Sequence, residues 1–321
     1  VKILFHHPHP LPVSEYGGIE RILWWHMKRL VVEGHQVVLI GNPNTNVEST
    51  GIELIAYPHD DLNWQHLIPQ GIDLIHLFYN YDPKVNIPVV NTIQGNGVQG
   101  EFFHLNTVFV SSKHAQNHGS GSYIYNGIDF TEYPYIPKKK KWNDFLFLAK
   151  ASWSVKNLKG CVKACRSSHK NLHIAGGKYF WPSRFINNYG MVGGQKKLEI
   201  INHCDALLFP VRWHEPFGIA IIEAMACGLP VAGSPYGSLP ELINPSVGKI
   251  VKNQSELTEF VHQDRQYDSE AIRNYAQKKF NIIGHTLDYL KIYQKVINGQ
   301  SLNAKNPSWV FEQKAVTLLE F

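Results

Sequence analysis

The chain has 321 residues, 44% of them hydrophobic, and a formal net charge of +5, enough apolar mass for two modest cores or one large one. The basic excess is mild, and no Lys/Arg-rich helix, zinc-finger spacing or aromatic RNA-binding pattern accompanies it, so no nucleic-acid partner is expected. No apolar run approaches the ~18 residues of a membrane span, and the four cysteines show no CxxC pairing.

In chain order, Lys2–Phe5 is predicted as a buried strand, too short to be a signal-peptide core. Gly18–Glu33 has the period of an amphipathic helix, with Ile19, Ile22, Leu23, His26, Met27 and Leu30 on one side and Gly34 as its stop. Gln36–Ile40 is the next strand. Short apolar runs follow at Ile52–Tyr57, Leu74–Leu77, Val89–Ile93 and Thr107–Val110, then a short helix over Lys113–Asn117 and a strand at Tyr123–Tyr125. The composition breaks at Tyr133–Trp142, with two prolines and four consecutive lysines, and the pattern restarts with Phe145–Ala149. Helix Leu158–Ser167, strand Asn171–Ala175, helix Lys196–His203 and strand Ala206–Val211 come next. Cys161 and Cys165 fall at i, i+4 on the first of these helices, the spacing of buried thiols. A strand at Val231–Ser234, helical stretches Glu256–Gln263 and Ser269–Asn298, and an amphipathic tail Ser308–Phe321 complete the chain. Such alternation predicts parallel, doubly wound sheets. The composition break divides the chain into a domain at 1–137, a second at 138–300 and a closing segment at 301–321. No internal repeat at solenoid periods is visible.

His214–Ile243, HEPFGIAIIEAMACGLPVAGSPYGSLPELI, is the most informative stretch. Glu215 and Glu223 lie eight residues apart around Phe217-Gly218. Open α/β sheets bind ligands where a strand's carboxyl end runs through a loop into a helix N-terminus, and amides and dipole there favour an anion. Glu215 is expected in that loop, and Glu223, two turns along the helix, on the same side. Pro216 has no N–H, which leaves the amides of Phe217, Gly218 and Ile219 as donors. A phosphate with a carboxylate to either side suits a ligand carrying hydroxyls at both ends, as a nucleotide-sugar does. The plainer reading of both glutamates as solvated fits Glu223 poorly. Ile221-Ile222 and Ala-Met-Ala flank it, and a carboxylate in that setting needs partners.

This segment resembles the E-x7-E signature of retaining family 4 glycosyltransferases, down to Gly237-Ser238-Leu239-Pro240-Glu241, which is similar to the family's G-x-x-P-E. The likeness is strong from Phe145 to Val251 and weaker before it. It implies the GT-B architecture, two facing Rossmann-like doubly wound parallel-sheet domains. The nucleoside-diphosphate-sugar donor would bind the second domain, and a hydroxyl-bearing acceptor the first. By the same analogy the closing segment would pack back on the N-terminal domain. The resemblance gives Glu223 the ribose hydroxyls and Glu215 the donor sugar near the reacting centre. They are then not the acid–base pair of a glycosidase. The resemblance further implies that the leaving diphosphate helps deprotonate the acceptor, with the protein mainly stabilising that leaving group. No cofactor is implied and no metal; there is no DxD pair.

Lys150 and Lys156 would neutralise the diphosphate. The family has Gly-Arg here and a lysine six residues after the Arg; Ala149-Lys150 keeps the charge and the spacing but loses the bidentate fork. Lys159, followed by glycine, is a rival to Lys156. Gly17-Gly18, before the first helix, is similar to a family Gly-Gly placed opposite the donor diphosphate. On the acceptor side Gln94 stands where many relatives carry histidine, and it can hydrogen-bond a sugar but not act as a base. His76 is either a second acceptor-side histidine or a satisfied strand-end residue. His6-His7-Pro8-His9 matches no zinc spacing and reads as a loop. Trp24-Trp25 and Lys138–Lys141 admit a peripheral membrane contact, or a core tryptophan and a solvated linker. A cytoplasmic transferase is the resulting expectation. A non-catalytic sugar-nucleotide binder, suggested by Gln94, is its rival. A Rossmann oxidoreductase is disfavoured because no GxGxxG follows the first strand.

Overall fold

The computed structural model describes residues 1–14, 17–58, 62–137, 142–181, 183–263, 267–312 and 314–321. The chain forms two compact units. The first comprises Val1–Val13, Gly17–Ile128 and Ile282–Glu312, and the second Ser14–Tyr16, Asp129–Asn281 and Gln313–Phe321.

In the first unit, β1 (Lys2–His7), β2 (Gln36–Gly41), β3 (Ile52–Ala56), β4 (Leu74–Leu77), β5 (Val89–Ile93) and β6 (Thr107–Phe109) form one sheet in the order β3-β2-β1-β4-β5-β6. Every pairing is parallel. In the second, β7 (Asp144–Leu148), β8 (Asn171–Ala175), β9 (Ile186–Gly190), β10 (Ala206–Phe209), β11 (Val231–Gly233) and β12 (Gly248–Ile250) run β12-β11-β10-β7-β8-β9, again all parallel. Counted from its own first strand, each sheet has the same winding. The strand order reverses between β1 and β4 in one and between β7 and β10 in the other, and such switch points are where doubly wound sheets bind ligands.

β7 (DFLFL) and β10 (ALLF) read as near-continuous apolar runs, as strands covered on both faces do. Phe145, Phe147, Leu172, Ile174 and Leu208 pack with Cys161, Cys165, Leu257 and Phe260 in the core of the second unit. Burial holds both of those thiols protonated by pushing their pKa values up. β9, INNYG, is half-exposed and polar. Neither it nor the three-residue β12 carries the apolar run that marks the other strands. Tyr123–Tyr125 is not a strand; Tyr123 makes one isolated bridge to Phe109.

The stretch expected as one long helix from Ser269 to Asn298 is two, Ser269–Phe280 and Ile282–Ile297. Asn281, with ψ at 150°, caps the first in extended conformation, and the chain passes there from the second unit to the first. The units therefore divide at 128/129 rather than 137/138, and the return begins at Ile282 rather than 301. The tail is split as well. Ser308 and Val310 bond the carbonyls of His118 and Asn117 in the first unit, whereas Leu319 bonds Arg212 in the second, where Phe321 packs on the core.

Trp24 and Trp25 are both buried, so neither is presented to a membrane surface, and Lys138–Lys141 lie outside the described residues. Among the described residues no helix is long and apolar enough to cross a membrane.

The helix Ile282–Ile297 is held to the first unit by a buried polar network. His26 on the first helix (Gly18–Val32) bonds Thr286 Oγ1 at 3.0 Å and Tyr293 Oη at 2.7 Å. His76 on β4 bonds Tyr293 Oη at 2.6 Å and Thr92 Oγ1 at 2.7 Å, and Thr92 also meets Tyr289 Oη. His285 Nδ1 reaches the Tyr125 carbonyl at 2.8 Å. Burial, reinforced for His26 and His76 by neighbouring imidazoles, holds all three rings neutral, with His285 pushed down from 6.5 to about 4. The unfolded rings take protons below 6.5 while the folded ones do not. Their contribution is therefore complete above the unfolded value and is lost as pH falls towards the folded one, at roughly 1.4 kcal/mol per pH unit per histidine. Urea midpoints measured at about pH 7.5 and about pH 5 should fall steeply between the two, and a flat profile would contradict the burial of this network.

Candidate functional site

Two lysine–carboxylate pairs of the second unit, Lys156–Glu215 and Lys197–Glu223, are largely buried. The first sits at its switch point. After β7 the chain makes a 3-10 turn, Ser154–Lys156, and then Asn157 takes a left-handed conformation at φ 57°. The Asn157 side chain caps the helix Leu158–Ser167 through Gly160 N and also donates Nδ2 to the Pro210 carbonyl at 3.0 Å. Arg212 N bonds the Val155 carbonyl at 2.7 Å. These contacts on either side of Lys156 tie the loop after β7 to the loop after β10. Lys156 Nζ consequently meets Glu215 Oε2 at 2.6 Å, with the two side chains only 11% and 9% exposed. Trp213 Nε1 donates to the same oxygen at 2.6 Å. The ammonium also lies 4.7 Å from the Trp213 ring centre and 5.3 Å from that of Phe209, where the ring faces favour a cation.

The Glu215 loop is braced from behind by Gly237-Ser238. Ser238 N bonds the Glu215 carbonyl at 3.0 Å and Ser238 Oγ the Phe217 carbonyl at 2.7 Å. Gly237 has φ 62°, and a Cβ there would lie 2.2 Å from the Glu215 carbonyl oxygen, so backbone conformation and contact both require glycine. Gly218, left-handed at φ 91°, caps the helix Ile219–Ala226, and no side chain caps that end. The first-turn amides and the dipole therefore suit an anion. Phe217 anchors the loop by burying its ring against Phe280.

The second pair is deeper in sequence terms. Glu223, on the same helix, is buried; Oε1 accepts from Lys197 Nζ at 2.5 Å and from Tyr133 Oη at 2.6 Å. Lys197 belongs to the helix Gly194–His203 and shares its buried face with Ile200 and Ile201. The need for partners at Glu223 was legible; their identity was not. The available signal was a lysine three and four residues before two isoleucines, which places it on the apolar side of an amphipathic helix. Trp213 and Asn157 were missed as well, although asparagine directly before a helix is a common cap.

Not every expected residue joins these pairs. Lys150 is exposed, with its ammonium 5.1 Å from the Trp153 ring centre and no ion pair to Glu215. Lys159 is exposed too, and Lys156 is the lysine of this loop that meets the carboxylate. In the first unit, Gly17 precedes the first helix with φ 152°, packed closely on Val13, and Gly18 opens that helix. Gln94 is half-buried in a reciprocal amide pair with Asn126, at 2.9 and 2.7 Å. The acceptor-side reading of His76 fails. Its ring is fully buried with both nitrogens engaged, which makes it a satisfied strand histidine. His6 stacks on Trp64 and bonds Tyr79 Oη, and burial with His9 nearby lowers His7 to about 4.

Residues 131–278 match the family model of glycosyl transferases group 1, which covers both lysine–carboxylate pairs. An uncharacterized 41.2 kDa protein of the cps region of Klebsiella pneumoniae is 30% identical over 113 residues, 33% of this chain and 31% of that protein. The match thus spans about a third of that relative's length. Among solved structures, AviGT4, a glycosyltransferase involved in avilamycin A biosynthesis, is similar with TM-score 0.78 and 18% identity, over 94% of this chain and 99% of that one. HepE from Anabaena, solved in complex with UDP and glucose, has TM-score 0.67 and 17% identity, over 92% of this chain and 99% of that one. The two six-stranded parallel-sheet units have the GT-B fold of these glycosyltransferases.

Proposed function

From a glycosyl transferases group 1 domain in the second unit, we propose that the chain is a retaining glycosyltransferase. It moves a sugar from a nucleoside-diphosphate-sugar donor to an acceptor hydroxyl in glycan, glycolipid or glycosylated-metabolite synthesis. The observation that carries this reading is the Lys156–Glu215 pair, assembled from the loops after the two central strands at the switch point.

Glu223 accepts the ribose hydroxyls on its second oxygen while Lys197 and Tyr133 hold the first. The diphosphate lies on the amides of Phe217, Gly218 and Ile219. Lys156 meets the charge that develops on the leaving phosphate, with Lys150 swinging in from solvent. Glu215 keeps Lys156 aimed and contacts the donor sugar. Protein catalysis is then electrostatic, through groups set in place before the bond breaks. The proton of the acceptor hydroxyl passes to the departing diphosphate on the same face, so no protein base is needed, which accommodates Gln94 in its amide pair. No metal takes part. The similar structure solved with UDP and glucose supports a nucleotide-sugar donor.

Incubation with UDP-, GDP- and ADP-sugars, followed by proton NMR, tests this. Slow release of nucleoside diphosphate from one donor is expected, with the sugar first appearing in the anomeric configuration it had in the donor. Nucleotide binding without release from any donor, or with any panel of acceptors, would instead favour a non-catalytic binder.

A further inference from the structure

We propose that Asp144, His173 and His203 form a divalent transition-metal site of the zinc class on the second unit, at the amino-terminal end of β7, whereas Lys156 lies beyond the carboxyl end of that strand. Asp144 opens β7, His173 lies within β8, and His203 ends the helix Gly194–His203. One potential ligand atom from each residue lies within 4.8 Å of the others, and no other such trio occurs among the described residues.

Both imidazoles present Nε2 to the same carboxylate oxygen. Asp144 Oδ1 is 2.9 Å from His173 Nε2 and 3.7 Å from His203 Nε2. Tetrahedral zinc with bonds of about 2.0–2.1 Å sets its ligand atoms about 3.3–3.5 Å apart. The two separations from Asp144 straddle that range, and the third, between the imidazoles, is within 4.8 Å. Two imidazoles and a carboxylate suit zinc, nickel or copper rather than magnesium or calcium.

The surroundings are those of a prepared site. His173 Nδ1 lies 2.9 Å from Tyr189 Oη, the outer hydrogen bond that fixes a ligating ring. Asn171 Nδ2 donates to Asp144 Oδ1 at 2.9 Å and orients the carboxylate. The β7–β8 ladder, which pairs Asp144 with Asn171, fixes Asp144 relative to His173. His203 sits at a helix C-terminus, where the dipole favours a cation. Its side chain is 59% exposed, which gives the ion an entry path and a water in the fourth position. Before binding, one proton is shared between His173 Nε2 and Asp144. On binding, the proton between Nε2 and Asp144 leaves to solvent, the metal takes the Nε2 lone pair, and the neutral ring holds one proton, taken up from solvent, on Nδ1, donating to Tyr189 Oη. The helix pinned in this way also carries Lys197, so a bound ion would steady the group that holds Glu223.

The test uses the untagged 321-residue chain, stripped with chelator, titrated with Zn2+ by calorimetry and with Co2+ by visible absorption. One saturable equivalent is expected, with the intense bands of four-coordinate Co2+. His203→Ala and Asp144→Asn should each weaken binding at least about tenfold, and Tyr189→Phe by roughly 10–100-fold, with unchanged circular dichroism. His203→Ala alters an exposed side chain and should fold normally. The proposal is overturned if there is no saturable one-equivalent binding, if binding is unaffected in His203→Ala, or if it is lost in His9→Ala instead.

Discussion

Replacing Lys197 by alanine is expected to lower the free energy of unfolding by about 3–5 kcal/mol, the usual cost of leaving one buried charge without its partner. Lys197 and Glu223 are both buried, and Lys197 bonds the Glu223 oxygen that Tyr133 also bonds. Without the ammonium that carboxylate keeps one neutral donor. Combining Lys197→Met with Glu223→Gln removes both charges and should recover most of the loss, because a buried pair stabilises little against a well-packed neutral replacement. Urea unfolding of the two single variants and the double variant gives the coupling directly. A Lys197→Ala cost below about 1 kcal/mol would be that of a solvated ion pair and would contradict the arrangement.

The second large effect belongs to Lys156. Lys156→Met should lower kcat for sugar transfer by roughly 10²–10³-fold, the range found when one preorganised stabiliser of developing charge is removed. KM for the donor should change much less. Lys156→Arg keeps the charge on a larger, planar head. It should recover part of kcat, since the ammonium fits between Glu215 and the rings of Phe209 and Trp213. Steady-state kinetics with the donor identified by NMR measure both. A raised KM with kcat unchanged would mean that Lys156 binds ground state and transition state alike, and would remove it from the chemistry.

Much of the fold was legible because buried parallel strands are written as short apolar runs between turn residues. β1, β2, β4, β5, β7, β8 and β10 were all found within a residue or two of their observed limits. β9 was missed because an edge strand half-open to solvent needs no apolar run, and INNYG has none. The break at Asn281 was hidden because its neighbours continue a helical pattern on both sides. What stops the helix is the passage of the chain from one unit to the other, a tertiary fact.

The site divides in the same way. Glu215, Gly218 and Glu223 could be read because one continuous segment carries strand, loop and helix. Lys156 could be singled out by its spacing, but that Lys156 rather than Lys159 meets Glu215 shows only in the fold. Tyr133 and Lys197 reach Glu223 from positions 90 and 26 residues away, and no local pattern encodes that meeting. For His76, sequence placed the residue at a strand end but could not show Tyr293 arriving from 217 residues further on to occupy its Nδ1.

Thermal unfolding in the presence of UDP, GDP, ADP, CDP and TDP, for the wild type and Glu223→Ala side by side, tests the central claim of a nucleotide-sugar site on the second unit. At about 100 times Kd a ligand bound only to the folded chain adds about 2.7 kcal/mol of stability. One nucleoside diphosphate is expected to raise the wild-type midpoint and leave that of Glu223→Ala where it was. A panel in which none shifts the wild type, or in which one shifts both proteins equally, would contradict a ribose held by Glu223.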